Sequence, residues 1–150
     1  MKPVVKGVII GCSVVLFISI IVVTALVWFV GSKKDELMAQ GTAIRAEGNG
    51  FGKGVSEPKC VDEAVARYGN NRGVVGVIRN SVWLGGCLEI SAFDAGFCAG
   101  VPSGDEFART VTWRVEQCRN RGFAGDSNCP NLFAEVQRYC DGAARAKKKQ

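Results

Sequence analysis

The sequence predicts an all-α protein: one N-terminal transmembrane helix followed by a small, disulfide-stapled helical bundle. Three observations lead there. Residues 7–30 form one apolar run, GVIIGCSVVLFISIIVVTALVWFV, with no charged residue and no proline. Six of the seven cysteines follow that run, at Cys60, Cys87, Cys98, Cys118, Cys129 and Cys140. Between them, apolar residues recur mostly at three- and four-residue spacing, the period of a helix with one buried face.

As a helix, with ~1.5 Å of rise per residue, residues 7–30 cover a hydrocarbon core of roughly 30 Å. The branched aliphatics in the run would suit a buried strand, but such strands end after about 4–8 residues. In lipid a lone span must satisfy its own backbone polar groups, which only a helix does. Trp28 and Phe29 fall at its far end, where aromatic rings favour the headgroup level. Ile9-Ile10-Gly11-Cys12 is similar to a lipoprotein cleavage box, yet the long apolar stretch lies after Cys12 rather than before it. Val23-Thr24-Ala25 offers small residues to a signal peptidase, but the run continues past it, beyond the about 7–15 residues of a signal h-region. We therefore read an uncleaved signal-anchor. Gly7 and Gly11 form a Gly-x-x-x-Gly pair, with Ser13 nearby, at which a second helix could approach closely. Cys12 reads as a small apolar residue within the span, near enough to its N-terminal face for acylation.

Flanking charge does not orient the span, because Lys2 and Lys6 on one side balance Lys33 and Lys34 on the other. The cysteines do. An even number in a small domain reads as a disulfide framework, and disulfides persist in oxidising compartments. The expected organisation is a cytoplasmic tip at residues 1–6, the span at 7–30, and a stalk with a Gly-rich hinge at 31–58. A Cys-rich helical domain at 59–142 and a basic tail at 143–150 follow, both periplasmic or extracellular.

The net charge of +5 belongs to the ends of the chain. Residues 31–140 carry thirteen basic and thirteen acidic side chains, so the domain has no basic excess to bind nucleic acid. There is no histidine. That removes the usual general base, the Ser/His and Cys/His nucleophile pairs and the commonest zinc ligand. We assign no catalytic, cofactor-binding or metal-binding residue and expect no cofactor.

After the span, residues 32–47 could continue the helix, weakened at Gly41. Lys34-Asp35-Glu36-Leu37 spells a retention signal that is read only at a C-terminus. The glycines of GNGFGKG, residues 48–54, echo a phosphate loop, but the Walker spacing is one residue short and Gly54 stands where Ser or Thr is needed. A flexible hinge is the expectation. Pro58 opens a helix with Cys60, Val61, Ala64, Val65 and Tyr68 on one stripe, ended by Gly69. Val74, Val77, Ile78, Val82, Gly85 and Leu88 keep helical spacing through the next, residues 74–90. Ser103 and Glu106 form a capping box for a helix carrying Phe107, Thr110, Val111, Arg114, Val115 and Cys118. Asp126–Asn128 begin a last helix, with Pro130 near its first turn, and it carries Leu132, Phe133, Val136, Tyr139 and Cys140.

Cys87/Cys98, Cys118/Cys129 and Cys129/Cys140 are all eleven residues apart. This resembles, in principle only, the twin Cys-x9-Cys motifs that bridge a helical hairpin in coiled-coil-helix-coiled-coil-helix proteins. The spacing here is one residue longer, and no function is carried over. Eleven residues are nearly whole helical turns, so Cys129 and Cys140 share a face. In an antiparallel hairpin Cys129 then meets Cys118, and Cys140 meets Cys98. By the same logic Cys60 meets Cys87. GCLEIS, GFCAGVP, TWRVEQC and EVQRYC also resemble uncharacterised bacterial single-pass membrane proteins with a Cys-rich helical extracytoplasmic domain, a likeness that implies no activity.

The expected function is a membrane-anchored extracytoplasmic binding or accessory/structural protein. Its partners would be the lipid bilayer and a protein, or a second copy through the span, without nucleic acid. Trp83 and Trp113 are the candidate interface aromatics, although plain core residues would read the same way. The alternative is a carboxylate-dependent hydrolase acting on cell-envelope glycans, drawing on Asp105, Glu106, Glu116 and Glu135. It requires a cleft with two facing acids, one of them buried.

Overall fold

The computed structural model describes residues 3–147, with side chains for residues 17–142 apart from Val30, Ser32 and Lys33. Five helices follow one another: α1 (Pro3–Gly52), α2 (Glu57–Asn70), α3 (Val74–Ile90), α4 (Phe107–Asn120) and α5 (Cys129–Lys147). The described residues contain no strand beyond an isolated parallel bridge between Ser56 and Ala92. The all-α expectation holds. The chain forms two compact units, Met1–Gln40 and Gly41–Gln150.

In the first unit the apolar side chains of α1 face outward, from Phe17 to Trp28 and Phe29. Thr24 folds its hydroxyl back onto the Ile21 carbonyl at 3.2 Å and onto that of Ile20, the usual way a helix satisfies a hydroxyl in apolar surroundings. Among the described residues no single helix is long and apolar enough to cross a membrane. A bent pair, Phe17–Phe29 with Lys34–Gly52, meets that requirement by length and composition. The side chains of Gly7, Gly11 and Cys12 lie outside the described residues, and so do those of the tip and of the basic tail.

The second unit is built around α3. Helix α2 and helix α5 pack on it, α4 packs on α5, and the last turns of α1 lie across its second half. Glycine allows that crossing. A Cβ on Gly48 would stand 2.1 Å from the Trp83 carbonyl oxygen, and one on Gly52 2.4 Å from that of Cys87. One on Gly86 would meet the Arg45 carbonyl oxygen at 2.3 Å. The two backbones therefore touch, as small residues at four-residue spacing permit. The expected hinge is corrected accordingly. The helix runs through Gly41 to Gly52, and the C-terminal unit begins at Gly41, not near residue 59. A glycine run looks like a hinge from composition alone; against a facing backbone the same missing side chains make a contact.

Helix α2 follows its expected stripe and buries Cys60, Val61, Ala64 and Tyr68. Gly73, at φ 99°, turns the chain into α3, in a backbone region L-residues avoid. Helix α3 has the expected bounds but not the expected face. Val74 and Ile78 are exposed, while Trp83, Leu84, Cys87 and Leu88 are buried. Its second half is enclosed by α1, α2 and α5 together, so no single stripe describes it. Helix α4 starts at Phe107 rather than just after Ser103. Glu106 reaches back to the Ser103 N–H at 3.2 Å, one half of a capping box, but residues 103–106 form a turn before the helix.

Three disulfides close the unit: Cys60–Cys87, Cys98–Cys140 and Cys118–Cys129, with Cα separations of 5.8, 5.5 and 6.0 Å. These are the pairs the hairpin geometry predicts. Cys60–Cys87 ties α2 to α3, Cys98–Cys140 ties the long 91–106 loop to α5, and Cys118–Cys129 closes the α4–α5 turn.

Candidate functional site

A groove of about 400 Å³ opens where α2, the 91–106 loop, α4 and α5 meet. Its apolar surface comes from Phe97, Trp113, Phe133 and Val136, and its polar rim from Asp62, Asp94, Gln117 and Arg121. A second groove of about 360 Å³, lined by Pro102, Arg109, Thr112 and Glu116, reaches the same Trp113. The Trp113 ring is thus a half-buried ridge with a depression on either side. It stands edge-on to Phe133, at 90° and 6.1 Å between centroids. Arg121 lies over Phe133 at 5.1 Å and donates to the Gln117 side-chain oxygen at 2.6 Å. One guanidinium therefore fixes both the aromatic floor and a polar wall.

Each wall of the main groove belongs to a cross-linked segment. Cys60 sits on the α2 wall, Cys98 on the loop, Cys118 on α4, and Cys129 and Cys140 on the α5 floor. Two buried polar residues set the loop from behind. Glu57, fully buried, accepts the Asp94 N–H at 2.8 Å and the Tyr139 hydroxyl at 3.2 Å. Burial raises the Tyr139 phenol above its ordinary pKa, and the adjacent Glu57 carboxylate adds to the effect. Gln137, also buried, donates to the Pro102 carbonyl at 3.1 Å and to the Thr110 hydroxyl at 2.8 Å. Its own oxygen accepts from Arg114 Nε at 3.0 Å. Both lie on the apolar stripe of their helix: Glu57 precedes Val61 by one turn, and Gln137 follows Phe133 by one turn. A polar residue in register with a buried stripe was the signal that could have singled them out.

The turn into α5 is closed by Asp126. Its carboxylate accepts the Tyr68 hydroxyl at 2.8 Å and the N–H groups of Asn128 and Cys129 at 2.9 and 3.2 Å. Desolvation alone would raise the Asp126 pKa, but these three donors outweigh it and hold the carboxyl below the usual range.

The structure separates the two tryptophan candidates. Trp83 is 1% exposed and fully in the core, stacked under Arg67 at 4.4 Å, so it offers nothing to a partner. Trp113 is the one at the surface. Of the four carboxylate candidates, Glu116 and Glu135 line different grooves. Glu106 holds Arg109 and the Ser103 N–H, and Glu116 lines the smaller Trp113 groove. Glu135 lines a separate cleft of about 640 Å³ together with Arg45, Glu89, Arg138 and Tyr139. There Glu135 pairs with Arg138 and Glu89 with Arg45, so each carboxylate already has a guanidinium. Among the described residues no group of three or more Cys, Asp or Glu side chains is placed to hold a metal ion. No protein-family model, curated protein or solved structure matches this chain.

Proposed function

We propose that the protein is a membrane-anchored, extracytoplasmic binding or accessory protein whose C-terminal unit engages a protein partner through the Trp113 ridge. The observation that carries this reading is the grooved surface around Trp113, with a disulfide end on every wall. Cross-linking of the walls keeps the surface in its bound shape before the partner arrives, which lowers the ordering cost of association. An aromatic ridge with a polar rim is the usual composition of an energetically dominant contact. The extracytoplasmic placement rests on the same three disulfides, which need an oxidising compartment. The anchor rests on the apolar run at residues 7–30, and the likeness to bacterial single-pass membrane proteins agrees with both.

Chemical cross-linking in native membranes, read by mass spectrometry, tests it. A recurring partner should be recovered through residues near Trp113, and Trp113→Ala should reduce that yield about tenfold or more. Recovery of no recurring partner, a second copy included, overturns the reading. A C-terminal reporter fusion active only in the cytoplasm overturns the topology.

A further inference from the structure

The larger of the two grooves beside Trp113 is uneven in charge. Asp62 and Asp94 stand on its α2 and loop wall, and Arg121 stands on its α4 wall. Arg121 is the one cation among the residues lining it, and it is already engaged. It donates to the Gln117 side-chain oxygen at 2.6 Å and lies over Phe133 at 5.1 Å. The loop wall carries no cation of its own: residues 91–106 include Asp94, Asp105 and Glu106 but no lysine or arginine. Asp94 is also held in place. Its N–H donates to the buried Glu57 at 2.8 Å, and its Oδ1 accepts the Gly96 N–H at 2.8 Å. Glu57 opens α2, the helix that carries Asp62, so both carboxylates belong to the same side of the groove.

We infer that the groove takes a segment of a partner protein that lays a lysine or arginine across it, stem on the aromatic floor and charge at Asp62 and Asp94; this rests on the Trp113 reading above. A long basic side chain is apolar along its stem and charged only at its head. It therefore suits a surface that is apolar at the floor and acidic along one rim. The floor is supplied by Phe97, Trp113, Phe133 and Val136. The unit's own arginines show how such a side chain seats on a ring: Arg121 over Phe133, Arg67 over Trp83 at 4.4 Å, and Arg72 over Phe123 at 4.8 Å. An acidic segment would meet two like charges at the rim, and a wholly apolar one would strip water from two carboxylates without replacing it.

A photo-activatable benzophenone side chain in place of Ala99, exposed on the loop wall, reads the occupant in native membranes by mass spectrometry. The adduct should fall on a protein segment, beside a lysine or arginine. The variant D62N/D94N keeps the shape of both side chains and the oxygen that accepts from Gly96. It should cut the adduct yield about fivefold, as should raising the salt to about half-molar. D62K, a change at one exposed position of α2, should cut the yield at least as far, and it serves if the double variant misfolds. Peptide mapping without reductant checks the three disulfides in each variant. If Trp113→Ala removes the adduct but neither charge variant changes it, the cationic segment is wrong and the Trp113 reading stands. An adduct to lipid, or to a segment without a basic residue, also overturns the inference. Absence of any protein adduct, both from Ala99 and from Thr112 in the groove on the other side of Trp113, removes both readings.

Discussion

Two regions of the C-terminal unit hold helices together by opposite means. Where α1 crosses α3, contact comes from leaving side chains out: Gly48, Gly52 and Gly86 bring backbone against backbone. In the α4–α5 hairpin, contact comes from adding bonds: the Cys118–Cys129 disulfide at the turn and the Gln137–Thr110–Arg114 cluster along the seam. The first is intolerant of any added atom. The second tolerates changes of shape but depends on every partner being present. The groove around Trp113 lies wholly on the bonded side, on α2, the loop, α4 and α5. The glycine seam instead joins the domain to the last turns of α1.

The bonded side should lose most when its longest staple is removed. Cys98–Cys140 closes 42 residues and Cys118–Cys129 closes 11. In the chain-entropy account these are worth about 4 and about 3 kcal/mol. The double variant C98A/C140A should lower the thermal midpoint of the C-terminal unit by about 15 °C or more, and C118A/C129A by less. Circular dichroism of the full chain in detergent measures both. The reverse order would mean that the hairpin turn, and not the loop closure, limits stability.

On the glycine side, Gly48→Ala places a methyl 2.1 Å from a carbonyl oxygen that cannot swing away. The helices must part, at a cost of about 3 kcal/mol. Gly50, two residues on in the same GNGFGKG stretch, has open space at its Cβ position. Gly50→Ala should stabilise by about 0.5–1 kcal/mol, because alanine restricts the unfolded chain and suits a helix. Opposite signs from neighbouring glycines are what a packed seam requires; equal, small effects would restore the hinge. Denaturant midpoints at constant m-value read the difference.

That pair of glycines also marks the limit of what the sequence conveys. The bounds of α2 and α3 were legible within a residue or so, because a spacing such as that of Cys60, Val61, Ala64 and Tyr68 is a local property of one helix. The disulfide pairs were legible for a related reason: eleven residues fix two cysteines on one helix face, and a short turn fixes the partner. What faces a helix from outside was not legible. Gly48 and Gly50 stand two residues apart in one glycine-rich stretch, and nothing local tells them apart as the position of Trp83 across the seam does. Helix α3 failed in the same way. Its apolar residues satisfy a one-sided stripe, but three neighbours enclose its second half and leave Val74 and Ile78 outside. The Trp113 site was half legible. Its aromatic was named, but nothing local told it from Trp83, and the loop that forms the opposite wall carries no regular pattern.

Gln137 tests whether the bonded side depends on its polar cluster as well as on sulfur. Gln137→Ala takes this partner from the Pro102 carbonyl and the Arg114 guanidinium and removes the donor to the Thr110 hydroxyl, which keeps its own bond to the Ser103 carbonyl. The expected loss is about 2 kcal/mol, and the loop wall of the groove should loosen with it. Hydrogen exchange at the amides of residues 99–106 should rise while that of α3 stays unchanged. Gln137→Glu keeps the acceptor for Arg114 but turns an oxygen toward the Pro102 carbonyl in place of a donor, so the loop wall should loosen in it as well.

The smallest effect tests the turn itself. Asp126→Asn retains an oxygen that can accept from Asn128 and Cys129, while its NH2 takes the place of the oxygen facing Tyr68 and donates to that hydroxyl instead; asparagine caps helices about as well as aspartate. Apart from that reversed bond only the charge is lost, worth about 1 kcal/mol or less at a helix N-terminus. The pH dependence identifies it. Hydrogen bonds hold the folded Asp126 carboxyl below its unfolded value, so the unfolded chain takes up this proton first as pH falls. Its contribution is complete above about pH 5 and is lost as pH falls below about 4, through the folded value. Wild type and Asp126→Asn should therefore differ at neutral pH and converge near pH 2, with the disulfides intact throughout. A constant difference across that range would mean that the Asp126 charge does nothing for the turn, and that sulfur alone closes the hairpin.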